Sequence, residues 1–146
     1  MSVVQNSTVI ARPAGEVFAY CSDMTNEPEW NPAAQKVNKV GTEPVGPGTR
    51  YTGQWSGIGE GTAEVVDFSP PERWRTSCDF GRVKALVIGR VQAASAGCEL
   101  SIRIELEAHG LLALALPVVR ALMQRTGREN MGRIRHVLER ELPPGN

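Results

Sequence analysis

The chain has 146 residues, with 16 basic and 16 acidic side chains, 41% hydrophobic residues and 22% charged ones. That length leaves room for one core and little for a second, and the composition is that of an ordered soluble protein rather than a disordered one. A formal net charge of zero gives no electrostatic reason to expect nucleic acid or an anionic membrane as the main partner.

The three cysteines, Cys21, Cys78 and Cys98, are too few and too scattered for a disulfide framework, and none forms a CxxC pair. Residues 1–10 lack the basic start and long apolar run of a signal peptide. A reduced, cytoplasmic setting is therefore expected. The most apolar stretch, 111–119, falls short of the roughly 20 residues needed to cross a bilayer, so no stable membrane insertion is expected.

In chain order, residues 2–10 read as a strand rich in Val, Thr and Ile. Pro13 suits the first turn of a helix, behind which Ala14, Val17, Phe18 and Cys21 recur at helical spacing. Asp23 is placed to cap a second short helix through Glu27 and Trp30, which Asn31-Pro32 ends. From 33 to 107 short alternating runs are divided by turn residues: 37–40, 50–55, 62–68, 73–78, 83–91 and 98–107. This punctuation predicts a meander of antiparallel strands, about seven with the first. In the last run Cys98, Leu100, Ile102, Ile104 and Leu106 alternate with polar residues, which predicts a sheet dry on one side only.

The cover for that dry face is a helical pattern over about 111–142, in which Pro117 implies either a start near Leu116 or a kink. Val119, Met123, Thr126, Asn130, Ile134 and Val137 fall on one stripe, with Arg125, Arg128, Arg135 and Glu139 opposite. The fold class predicted is α+β: one domain over 1–146, strand, two short helices, sheet and a long terminal helix.

This order, together with Ala11-Arg12-Pro13-Ala14-Gly15-Glu16-Val17-Phe18-Ala19-Tyr20, Trp30-Asn31-Pro32, the turn from Val45 to Tyr51 and Phe68-Ser69-Pro70-Pro71-Glu72-Arg73, resembles the START-related helix-grip superfamily (SRPBCC), in its polyketide cyclase/dehydrase-like and lipid-transport-like branch. The resemblance covers almost the whole chain. It implies a curved antiparallel sheet gripping a long C-terminal helix, with a cavity between them for an apolar ligand. It does not fix chemistry, because the superfamily spans carriers, cyclases and helper proteins.

Residue chemistry narrows the choice. Gly57-Ile58-Gly59-Glu60-Gly61 leads into a strand and reads as a hairpin, since a phosphate loop must open a helix. His109 and His136 have no Cys or His at ligand spacing, so neither a metal nor another cofactor is expected. The helix arginines alternate with Glu129, Glu139 and Glu141, as on a solvated face. Tyr51 and Trp55 share strand parity with Gly53 between them, which suits an apolar wall with a few polar handles. The expected ligand-facing set is Tyr51, Gly53, Trp55, Cys78, Met123, Gly127 and Asn130. Gly127 is read as freeing volume and Asn130 as orienting a ligand carbonyl or hydroxyl. The expectation is carriage of a small hydrophobic or aromatic molecule. The alternative is a cofactor-independent cyclase or dehydratase acting on such a molecule.

Overall fold

The computed structural model describes residues 2–141. The expected helix end at Leu142 and the tail from Pro143, predicted to fray, lie outside the described residues. The chain runs β1 (Ser2–Ile10), α1 (Ala14–Ser22), a 3₁₀ turn (Met24–Asn26), α2 (Glu27–Trp30), β2 (Ala34–Val40), β3 (Arg50–Trp55), β4 (Gly59–Ser69), β5 (Arg73–Asp79), β6 (Val83–Ala94), β7 (Gly97–Ala108) and α3 (Leu111–His136), which ends in a π-helical turn (Val137–Glu141). Asp23 accepts from the Thr25 amide at 3.0 Å, the cap its position predicts.

Seven antiparallel strands lie in the order β1-β7-β6-β5-β4-β3-β2, so β1 and β2 are the two edges of a curved sheet. This is the predicted helix-grip architecture. Strand β4 starts three residues earlier than its alternation suggests. Trp55 pairs with Gly59 and leaves only 56–58 for the turn, where positive φ at Gly57 and Gly59 allows a tight reversal.

Two bulges help bend the sheet, between Ala34 and Lys36 in β2 and between Val65 and Asp67 in β4. The second also resets the alternation. Ala63 and Val65 point inward, and the extra residue turns Phe68 inward as well, where its ring lies 5.2 Å from that of Phe18.

Helix α3 runs along the edge strand β1. Arg120 Nε donates to the Val3 carbonyl at 2.9 Å, Gln124 Nε2 to the Gln5 carbonyl at 2.9 Å, and the Ala11 amide to Glu139 Oε2 at 2.7 Å. From Arg120 to Glu139 the helix rises about 28 Å at ~1.5 Å per residue, and Val3 to Ala11 spans about 27 Å at ~3.4 Å per residue. The two advance in step, so the helix satisfies backbone groups that an edge strand would leave open.

The buried face of α3 differs from the predicted stripe. Asn130, Met131, Ile134, Val137 and Leu138 are buried, whereas Thr126 is exposed and Val119 is 36% exposed. Only the C-terminal half docks fully. The helix begins at Leu111, upstream of Pro117, whose missing N–H leaves the Ala113 carbonyl without its helical partner on an exposed turn.

Candidate ligand site

The concave face carries two separate apolar clusters. One joins Ile10, Val17, Phe18, Trp74, Val91, Leu100, Met131, Ile134 and Leu138, where α1 and the end of α3 meet the sheet. The other joins Tyr51, Trp55, Ala63, Val65, Cys78, Ala85 and Leu106, with Leu116 and Met123 of α3 packed against it. Val87, Ile102 and Ile104 share the inward parity of these residues yet are only half-buried. These inward side chains are only partly covered.

Among the described residues three enclosed polar atoms have no hydrogen-bond partner: Tyr51 Oη, Thr76 Oγ1 and Trp30 Nε1. Tyr51 and Thr76 are 1% and 2% exposed. Burial pushes the Tyr51 phenol up to about 12, and the nearby Asp23 carboxylate adds to this. The Met24 backbone close by offsets the shift in part, without completing a hydrogen bond of good geometry. An unpaired buried hydroxyl costs about 1–3 kcal/mol.

At one end of this interior stands Glu27. Its Oε2 accepts from the Trp55 indole Nε1 at 2.6 Å and from Asn31 Nδ2 at 3.0 Å. Burial holds the carboxyl above its usual range, against the lowering effect of those two donors. The residue as a whole is half-buried and its carboxyl end is enclosed. Burial first, then the neighbouring Glu27, pushes the Cys78 thiol up to about 12.

Of the seven expected ligand-facing residues, Tyr51, Trp55, Cys78 and Met123 meet in the second cluster. The two glycines do not open space. A Cβ on Gly53 would lie 2.7 Å from the Trp55 ring, and one on Gly127 would lie 2.3 Å from Asn6 Nδ2, so those volumes are filled by neighbours. Asn130 is 8% exposed and its Oδ1 already accepts from Arg133 Nη1 at 2.8 Å. That local pair takes up the amide oxygen, whereas a ligand carbonyl would call on the Nδ2 donor.

Glu27, Thr76 and Trp30 were not among the expected site residues. Thr76 was legible from the alternation Trp74, Thr76, Cys78 along β5, which shares one inward face. Glu27 carried no such signal, because its role depends on the fold bringing Trp55 across 28 positions of sequence. An open groove of about 530 Å³ borders Gly53 and is otherwise lined largely by outward polar side chains such as Lys36, Asn38, Thr52 and Gln54. Among the described residues no group of three or more His, Cys, Asp or Glu is disposed to hold a metal. No described helix is long and apolar enough to cross a membrane.

A sequence profile described as polyketide cyclase / dehydrase and lipid transport matches residues 1–139. The chain belongs to that family. Solved structures agree on the fold: a Thermus thermophilus protein is 15% identical with a TM-score of 0.75, covering 94% of this chain and 97% of its own. A Mesorhizobium loti protein is 12% identical, with a TM-score of 0.75 over 97% of this chain and 100% of that one. The di-domain ARO/CYC BexL, from the BE-7585A biosynthetic pathway, is 17% identical with a TM-score of 0.72 over 93% of this chain and 46% of that one. No curated protein sequence matches the chain. Membership in the polyketide cyclase/dehydrase and lipid transport family places the protein among those built around an apolar ligand. At these identities the solved structures speak for the fold alone.

Proposed function

We propose that the protein, acting as one domain, binds a small hydrophobic or aromatic molecule bearing a carbonyl or hydroxyl group in the space between the sheet and α3. The observations that support this reading are the unpaired Tyr51 and Thr76 hydroxyls on the inward face of the sheet and the inward but half-buried Val87, Ile102 and Ile104. Tyr51, Trp55, Cys78 and Met123 form the wall, and Tyr51 and Thr76 orient the ligand. A cytoplasmic setting accords with three free, buried cysteines, whose thiols burial holds up and unreactive.

Tyr51→Phe tests this reading. Removing an unpaired hydroxyl leaves the apo protein as stable or more so, while affinity for a naphthyl ketone falls about tenfold. Affinity for the matching alkylnaphthalene stays unchanged. Equal changes for both probes, or none for either, would remove Tyr51 from the site.

A second reading, cyclase or dehydratase chemistry, is favoured by one observation: the enclosed Glu27 carboxyl, positioned by the Trp55 and Asn31 donors. Such a group keeps its proton to higher pH than a solvated carboxyl and suits general acid–base work. On this reading Glu27→Gln retains ligand binding but abolishes conversion of a bound poly-β-ketone. Unaltered ligand recovered from the wild-type protein leaves carriage as the function.

A further inference from the structure

Among the described residues, six of the ten exposed large hydrophobic side chains lie on the first half of α3. Leu111, Leu114, Val118 and Leu122 are 85%, 81%, 66% and 62% exposed. At about 100° per residue they fall within an arc of about 80°, facing away from the stripe of Leu116, Met123 and Ile134 that turns toward the sheet. The first three turns of α3 are thus apolar on two faces, and the protein covers only one. The other four exposed hydrophobics, Val9, Val40, Ile58 and Val66, are scattered over separate strands and a turn. Scattered residues of that kind are ordinary on a protein surface, whereas a contiguous stripe is not.

Charge around the stripe is segregated despite the chain's overall neutrality. Between Glu107 and Glu129 there is no acid, while Arg120, Arg125 and Arg128 all lie in that interval. Arg125 continues the stripe one turn on and is 80% exposed, with Glu129 at 3.5 Å as a surface partner. Arg128 is exposed beside it. At the other end the His109 amide donates to the Arg82 carbonyl, which sets the exposed Arg82 next to the start of the helix. Cations therefore border the apolar stripe at both ends.

We infer that the Leu111, Leu114, Val118 and Leu122 stripe is a docking face for an anionic lipid surface, with Arg82, Arg125 and Arg128 set against the headgroups. Size argues against a second copy of the chain as the occupant. At roughly 100 Å² of apolar surface per fully exposed Leu or Val, the stripe offers about 300 Å², less than the ~450 Å² of apolar surface within the ~800 Å² per partner of a stable protein interface. A helix lying in the headgroup region needs only such a shallow apolar strip flanked by cations. The inference is independent of the ligand site, since none of these four side chains belongs to either buried cluster.

Vesicle flotation tests it, using phosphatidylcholine alone and phosphatidylcholine with about one third phosphatidylserine. The protein is expected on the anionic vesicles and not on the neutral ones. The double substitution Leu114→Ser and Val118→Ser, at exposed positions, should weaken binding about tenfold or more. Its melting temperature and its affinity for the naphthyl ketone should be unchanged. Arg125→Ser with Arg128→Ser should weaken binding to the anionic vesicles, as should high salt. The inference is overturned by wild-type protein that floats with neither vesicle or equally with both, or by serine variants that bind as wild type. It is equally overturned if sedimentation equilibrium finds a dimer that the serine substitutions dissociate, which assigns the stripe to a second copy.

Discussion

The Glu27 carboxyl is pushed above its usual range because burial disfavours the charge more than the Trp55 and Asn31 donors favour it. A carboxyl raised in the folded state binds protons that the unfolded chain has released, so its contribution to stability declines as pH rises. That contribution is complete below the ordinary value of 4.5 and is lost as pH climbs through the raised folded value. Glu27→Gln can keep the indole contact through its amide oxygen and cannot ionise. The stability of the wild type relative to this variant should therefore fall from pH 4.5 upward, as read by urea denaturation across pH. A difference that is flat with pH would mean that Glu27 ionises as freely folded as unfolded. At Gly89 the constraint is steric. A Cβ there would lie 2.2 Å from the Trp74 ring, which is 3% exposed and meets Phe18 edge-on at 5.5 Å. Gly89→Ala should destabilise the protein by about 1–3 kcal/mol. Shortening the opposing side chain through Trp74→Leu should recover part of that loss, and a double-mutant cycle checks it.

Helix α3 is an element of two halves. Past Asn130 it is pinned by Met131, Ile134, Val137 and Leu138, by the Glu139 carboxylate on the Ala11 amide, and by Arg12 Nε on the Leu138 carbonyl at 2.7 Å. Before Met123 its described polar contacts with the sheet come chiefly from Arg120 on the Val3 carbonyl. Local opening follows local burial. Amide exchange should therefore be faster over 114–122 than over 130–138, and uniform protection along α3 would contradict this division. Gln124 joins the halves by bonding both backbone groups of Gln5, receiving the Gln5 amide at 3.4 Å and donating to its carbonyl at 2.9 Å. Gln124→Ala should cost about 0.5–1.5 kcal/mol and selectively speed exchange of the Gln5 amide.

Across the whole molecule, an interior lined by half-buried Val87, Ile102 and Ile104 is a source of stability that a ligand can supply. Anything that binds only the folded state adds RT ln(1 + [L]/Kd), about 2.7 kcal/mol at a hundredfold excess over Kd. The naphthyl ketone should raise the melting temperature in proportion to the logarithm of its concentration, and a melting temperature indifferent to it would show that the interior does not admit it. Native mass spectrometry of freshly purified protein should further reveal a retained apolar molecule.

Sequence determined the element order, because alternation, helical spacing and Pro/Gly punctuation are local signals that survive without neighbours. The clean period of two from Cys98 to Leu106 could become only a strand with one dry face, and Tyr51 and Trp55 had to share a side. What tertiary structure decided was whatever depends on a partner distant in the chain. The β4 bulge that turns Phe68 inward, the Trp55 ring over Gly53, Asn6 filling the space at Gly127 and the Arg133 contact at Asn130 all follow from packing. So do the joining of Glu27 to Trp55 and the exposure of the first turns of α3. Periodicity says that a helix has an apolar face, but it does not say how far along its length the sheet reaches to cover that face. Here Leu116 reaches the second cluster, while Leu111, Leu114 and Val118 lie on the side of α3 turned away from the sheet and stay exposed.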